Sequence, residues 1–81
     1  MADINMLKRF AGVNAEDSVL EGCLKAAEDW YANAGISPVG NNRLYDFWVC
    51  NLAAWMYDNR GGNAEIPQTI IASVHQLREA N

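Results

Sequence analysis

The segment that most constrains this chain is RLYDFWVCNLAAWMYD, residues 43–58, which gathers two tryptophans, two tyrosines and a phenylalanine into one short run. Its apolar residues recur with helical period, which predicts an α-helix. Asp46, Asn51 and Asp58 interrupt the run, so it lacks the roughly 20 consecutive apolar residues of a membrane-spanning helix. We therefore expect no membrane span, and the question becomes what covers so apolar a helix.

One face of this helix is an ordinary core-facing stripe about 140° wide. The stripe holds Leu44, Tyr45, Trp48, Val49, Leu52, Trp55 and Met56. The remaining arc, called here the second face, combines small residues with two aromatics. It consists of Asp46, Phe47, Cys50, Asn51, Ala53, Ala54 and Tyr57.

The size of the chain bears on what covers the second face. A domain of 81 residues buries only about 60% of the surface that its unfolded chain exposes, so little material is left for this purpose. We therefore predict that a neighbouring subunit covers Phe47, Cys50, Ala54 and Tyr57. In a ring this contact is heterologous, so the second face would meet the first or second helix of the next copy.

The first half of the chain predicts two more helices. Asp3 is expected to cap a short helix that ends at Gly12. Asn14, in a capping box with Asp17, is expected to begin a long helix that runs to Ala34. The apolar face of the first helix is expected to hold Ile4, Leu7, Phe10 and Ala11.

The second half predicts two helices as well. Gly35 ends the second helix, and the third spans residues 42–59 before Gly61 and Gly62. Pro67 suits the first turn of a fourth helix. No segment alternates with the period of a strand, so we predict one all-α domain over residues 1–81. It is a compact bundle of four helices: a short first helix, two long central helices and a C-terminal helix. The residues expected to be largely buried are Leu24, Trp30, Trp48, Leu52, Trp55 and Ile70.

Composition argues against several functions. The two cysteines, Cys23 and Cys50, are expected to be reduced thiols, because no signal peptide and no dense cysteine framework is visible. His75 is the only histidine, and no spacing typical of metal ligands occurs. With no nucleophile paired with a base and no cofactor loop, we expect neither catalysis nor a cofactor.

The order of short motifs resembles a known family, the small head-tail connector proteins of tailed bacteriophages, often described as possible DNA-packaging proteins. The first half, MLKRFAGVNAEDSVLEGCLKAAEDWY, is similar in its Leu-Lys pair, its acidic helix start and its paired alanines. The matching residues are Leu7, Lys8, Asp17, Leu20, Ala26 and Ala27. The second half is similar in AAWMYDNR and IPQTIIASVHQLR, where the matches are Tyr57, Asp58, Asn59, Arg60, Pro67, Leu77 and Arg78.

The chain also departs from this family, because Ala34 precedes Gly35 where the family usually has Thr-Gly, and the loops around the third helix are short. The resemblance implies a structural protein of the virion, without catalytic residues and assembled in the host bacterial cytoplasm. Copies would form a ring at the portal vertex, bind the portal protein and a tail or stopper protein, and extend the DNA channel. DNA would pass through without specific binding.

A small helical DNA-binding or packaging-regulator protein is the alternative. Its recognition helix would be the fourth, which offers Gln68, Thr69, Gln76 and Arg78. Against it stand six basic residues facing ten acidic ones, a net charge of −4 and no clustered basic face.

Overall fold

The computed structural model describes residues 3–12, 16–36, 43–59 and 65–80. They form four α-helices: α1 (Ile4–Ala11), α2 (Asp17–Asn33), α3 (Arg43–Asp58) and α4 (Gln68–Ala80). The described ranges contain no strand. The radius of gyration is 11.9 Å, against about 11.7 Å for a compact domain of this length. The predicted all-α bundle, with a short first helix and two long central ones, is confirmed.

Both ends of α1 are capped as predicted. The Asp3 carboxylate accepts a hydrogen bond from the Met6 backbone N–H at 2.8 Å. Gly12 adopts the left-handed conformation with φ 63°, and its N–H donates to the Lys8 carbonyl at 2.9 Å. A glycine is favoured at this position because a Cβ would be strained there.

The start of α2 differs from the prediction. Its N-cap is Glu16, which makes no side-chain capping bond, so the predicted capping box is wrong. Asn14 itself lies outside the described residues. Asp17 instead pairs with Lys8 at 2.6 Å, which joins the last turn of α1 to the first turn of α2. An acid at a helix N-terminus also interacts favourably with the helix dipole.

The end of α2 forms a Schellman motif. The Ile36 N–H donates to the Tyr31 carbonyl at 2.9 Å, and the Gly35 N–H donates to the Ala32 carbonyl at 3.0 Å. Gly35 has φ 87°, which confirms it as the residue that ends the helix. Ile36 is buried, so the motif also fixes where the chain leaves α2.

The core is built around α3, which packs against each of the other three helices. It contributes Tyr45, Val49, Cys50, Leu52 and Ala53, all buried. The other buried apolar residues are Leu7, Leu20, Leu24, Ala27, Tyr31, Ile36, Ile70, Val74 and Leu77. The predicted burial of Leu24, Leu52 and Ile70 is confirmed.

The predicted burial of the three tryptophans is confirmed only in part. Trp30, Trp48 and Trp55 are only partly buried and pack at the edge of the core. An indole N–H needs a hydrogen-bond acceptor, which a tryptophan finds more readily at the edge than inside. The large rings in the centre are instead Tyr31 and Tyr45, at 0% and 2% exposure.

Two polar contacts tie α4 to α2. The hydroxyls of Tyr31 and Ser73 lie 2.7 Å apart and are both buried. The Arg78 guanidinium donates to the Ala34 carbonyl at 2.8 Å. These contacts hold α4 against the C-terminal end of α2.

Candidate interaction surface

The four residues predicted to form the subunit interface differ in how far they are exposed. Phe47 is 46% exposed, Ala54 and Tyr57 are partly buried, and Cys50 is 1% exposed. The expectation that one chain leaves this whole face uncovered is therefore wrong at Cys50, because α1 packs against that part of α3. What α1 leaves uncovered is centred on Phe47.

Three aromatic rings form a continuous row across two helices, called here the aromatic strip: Phe10, Phe47 and Trp48. The ring centroids of Phe10 and Phe47 are 5.4 Å apart, and those of Phe47 and Trp48 are 5.2 Å apart, both edge to face. At the far end, the Trp48 indole N–H donates to the Gln76 side chain of α4 at 2.9 Å. The strip is thus formed and contacted by side chains from three helices.

Phe10 was predicted on the apolar face of α1 with Leu7, but Phe10 is 42% exposed whereas Leu7 is fully buried. Only Leu7 among the side chains described on α1 is fully buried. An eight-residue helix lying across a larger one presents about one turn to it, so a residue one turn further along reaches the rim. Sequence periodicity alone does not reveal where that contact ends.

A groove of about 230 Å³ runs beside the strip between α1 and α3. It is lined by Met6, Phe10, Arg43, Asp46, Phe47 and Cys50. Its surface is mainly apolar, with one cation and one carboxylate. Exposed apolar patches bordered by polar residues commonly mark protein–protein contacts.

Two exposed cations neighbour the strip: Arg43 lines the groove together with Phe10 and Phe47, and Arg9 directly precedes Phe10 in α1. In the part of the chain that the structure describes, neither forms an ion pair. Lys8, by contrast, is engaged by Asp17. Two guanidinium groups next to the exposed phenylalanines are therefore available to a partner.

A second concavity, of about 400 Å³, lies between α1 and α2 and is called here the acidic concavity. It is lined by Asp3, Ile4, Glu21, Leu24, Lys25 and Glu28. Burial raises the pKa of Glu28, and the nearby charges of Asp29 and Asp46 raise it further. The negative charge in this region is thus only partly compensated within the chain.

Two buried ionisable groups of α3, the Cys50 thiol and the Tyr45 hydroxyl, stay protonated at neutral pH. Burial raises the pKa of the Cys50 thiol to about 11, and burial raises the pKa of Tyr45 to about 12. In both cases nearby carboxylates add to the effect. Cys23 and Cys50 are both free thiols, and the protonated thiol of Cys50 is a weak nucleophile.

The residues suggested for a recognition helix are divided in the structure. Gln68 and Thr69 are exposed at the start of α4. Gln76 and Arg78 are engaged within the chain, by Trp48 and by the Ala34 carbonyl respectively. Reading DNA with either would require breaking one of these contacts.

Among the described residues, no group of three or more metal-ligating side chains comes together. Within the same residues, no helix is long and apolar enough to cross a membrane. In comparisons with known proteins, no family model, no curated protein and no solved structure matches this chain.

Proposed function

We propose that this chain is a structural protein of a tailed bacteriophage that forms a ring at the portal vertex. The ring connects the head to the tail and extends the DNA channel. The portal protein lies on one side of it and a tail or stopper protein on the other.

The observation that carries this proposal is the aromatic strip. Phe10 and Phe47 are each more than 40% exposed, although they lie side by side on a small domain. Aromatic residues are enriched at protein–protein contacts because they supply a large apolar area with little loss of conformational freedom. A chain that assembles with copies of itself and with neighbouring proteins has a use for such a surface.

The residues that resemble the connector family have structural roles in this fold, as a scaffold protein requires. Leu7 anchors α1 in the core, and Lys8 pairs with Asp17 at the start of α2. The Asn59 side chain donates to the Trp55 carbonyl at 2.9 Å and caps the end of α3. These contacts indicate that the residues shared with the family stabilise the fold. The choice of partners would then depend on other residues at the surface.

The charge of the chain fits a channel better than a DNA-binding protein. A net charge of −4 repels the phosphate backbone, so DNA would pass without being held. Gln76 and Arg78 already make contacts within the chain. The structure of the fourth helix therefore supports the DNA-binding alternative less than the sequence of that helix does.

A docking experiment tests the proposal. Purified chain is mixed with rings of the portal protein from the same phage, and binding is measured by sedimentation. We expect the chain to co-sediment with portal rings as a ring of several copies. Phe47→Asp should reduce this binding, whereas Ile71→Asp should not, since Ile71 is 40% exposed on α4 and belongs neither to the strip nor to the lining of the groove.

Both substitutions place a carboxylate on a similarly exposed apolar position, so general effects on solubility cancel. Circular dichroism and urea unfolding must show that both variants remain folded. Absence of wild-type binding to portal rings, or equal loss of binding in the two variants, would contradict the proposal.

A further inference from the structure

We propose that the exposed Phe10–Phe47 ridge of one copy docks into the acidic concavity of the next copy. This inference rests on the self-assembly that the proposed function requires, and it names the two surfaces that meet. The partner that binds the ridge is thus a second copy of this chain, and the contact is heterologous.

Charge complementarity is the first argument. Arg43 lines the groove beside the ridge, where Asp46 supplies the one opposing carboxylate, and the exposed Arg9 directly precedes Phe10 in α1. The acidic concavity, in contrast, has three carboxylates around a single lysine. Oppositely charged patches guide partners together and fix their orientation, so the two surfaces of this chain match each other better than either matches itself.

Shape is the second argument. The ridge offers an exposed apolar surface, because two phenylalanine rings meet edge to face and both remain more than 40% exposed. The concavity has room for side chains of this size, and Ile4 and Leu24 contribute apolar surface to its lining. The exposed phenylalanine rings of one copy would therefore contact the apolar side chains of the concavity, and the carboxylates around the concavity would face the cations near the rings.

A neighbouring copy in the concavity would also stabilise the ionised form of Glu28. Burial and the charges of Asp29 and Asp46 disfavour the ionised form of Glu28. A guanidinium brought beside Glu28 by a neighbouring copy would offset that repulsion. Arg43, which lines the groove beside the ridge, and Arg9, which directly precedes Phe10, are exposed cations that can do so.

Because the ridge and the concavity are different surfaces, a pair of copies joined by a single contact keeps one free ridge on one copy and one free concavity on the other. Repeating the contact adds copies in one direction, and the chain of copies closes into a ring if the rotation per copy allows it. A contact of ridge with ridge would instead stop at a dimer. The proposed contact therefore matches the geometry that a ring requires.

Charge reversal on each side separately tests the contact. The ridge variant carries Arg9→Glu and Arg43→Glu, and the concavity variant carries Glu21→Arg and Glu28→Arg. Self-association is measured by sedimentation velocity at protein concentrations up to about 1 mM, which detects contacts as weak as a millimolar Kd. We expect wild-type chains to associate and each variant alone to associate at least about tenfold more weakly.

The decisive sample is an equimolar mixture of the two variants. In the mixture, the acidic ridge of one variant meets the basic concavity of the other, while the unchanged surfaces also match. Association should therefore return to within about threefold of wild type, as expected when paired charges are restored. If a double variant fails to fold by circular dichroism, Arg43→Glu and Glu21→Arg, each a single change at an exposed position, replace it.

Three results would overturn the inference. They are a mixture that associates no better than its components, a concavity variant that associates as well as wild type, and a wild-type chain that stays monomeric throughout. The inference and the proposed function fail separately. If wild-type chains bind portal rings but the mixture is not restored, only the ridge and concavity are wrong, whereas failure to bind portal rings contradicts the function itself.

Discussion

The buried hydrogen bond between Tyr31 and Ser73 predicts an unequal response to removing its two partners. The Ser73 hydroxyl donates its single hydrogen to the Ile70 carbonyl, so in the Tyr31–Ser73 bond the tyrosine must be the donor. Burial raises the pKa of Tyr31, which keeps its hydroxyl protonated at neutral pH. Ser73→Ala therefore leaves a buried donor without an acceptor.

The magnitudes follow from what each change leaves behind. Ser73→Ala should lower the free energy of unfolding by about 1–3 kcal/mol, the penalty for an unsatisfied buried polar group. Tyr31→Phe removes the donor and leaves Ser73 bonded to Ile70, so it should cost only about 0.5–1.5 kcal/mol. The double variant should cost no more than Ser73→Ala alone, because its buried donor is gone. For a domain of this size, total stability is about 4–12 kcal/mol, so the differences are measurable.

Urea unfolding at pH 7, followed by tryptophan fluorescence and circular dichroism, measures all four proteins of this double-mutant cycle. We expect a coupling energy of about 1 kcal/mol between the two positions. Additive effects, or a larger cost for Tyr31→Phe than for Ser73→Ala, would show that this bond does not join α2 to α4 as described.

The remaining predictions concern the core, the cysteines and the glycines. Leu52→Ala should cost about 2–5 kcal/mol in urea unfolding, since Leu52 is fully buried on the central helix; a cost below about 1 kcal/mol would contradict this position. In native protein at pH 8, iodoacetamide should modify Cys23 well before Cys50, as mass spectrometry would show; equal rates would mean that α1 does not protect Cys50. The pKa of Cys50 is raised from 9.0 to about 11, so the unfolded chain loses this proton first, and the stability present below pH 9.0 should fall as pH rises to about 11. Replacing Cys50 by alanine should remove this part of the pH dependence. Gly22→Ala, inside α2 with open space around it, should stabilise by about 0.5–1 kcal/mol, whereas Gly12→Ala, at φ 63°, should destabilise by about 1–2 kcal/mol; thermal unfolding showing the same sign for both would contradict the helix assignments.

The helices were predictable from sequence because their signals are local. Asp3, Gly12, Gly35 and Pro67 each act on their own helix terminus, and each lies at or next to an observed boundary. The capping box was wrong for the opposite reason. The Asp17 carboxylate has a partner in Lys8 of the preceding helix, and a capping motif read from local sequence does not include that competing partner.

The surface was less predictable because it depends on how far one helix covers another. A helical wheel places Phe47 and Cys50 on the same arc, yet α1 buries one and leaves the other 46% exposed. The wheel also places Val19 and Ile71 on apolar stripes, and both are about 40% exposed. These outcomes depend on helix crossing geometry, which periodicity does not encode.

The partner of a buried polar side chain was also not predictable from the sequence. Ser73 lies on the core side of α4 with 2% exposure, three residues after Ile70 and four before Leu77, yet the sequence offers no partner for its hydroxyl. Its burial depends on Tyr31, which is distant in sequence and supplies the hydrogen bond. Only the packing of α4 against α2 reveals that pairing.

The central claim is that this chain forms a ring where the head joins the tail. Electron cryomicroscopy of intact tailed particles, with the chain carrying a small fusion tag for identification, tests that claim most directly. We predict tagged density in a ring stacked on the portal, with DNA passing through its centre and each copy contacting the next. Particles that contain no copies of the chain, or copies located away from the head–tail junction, would contradict the claim.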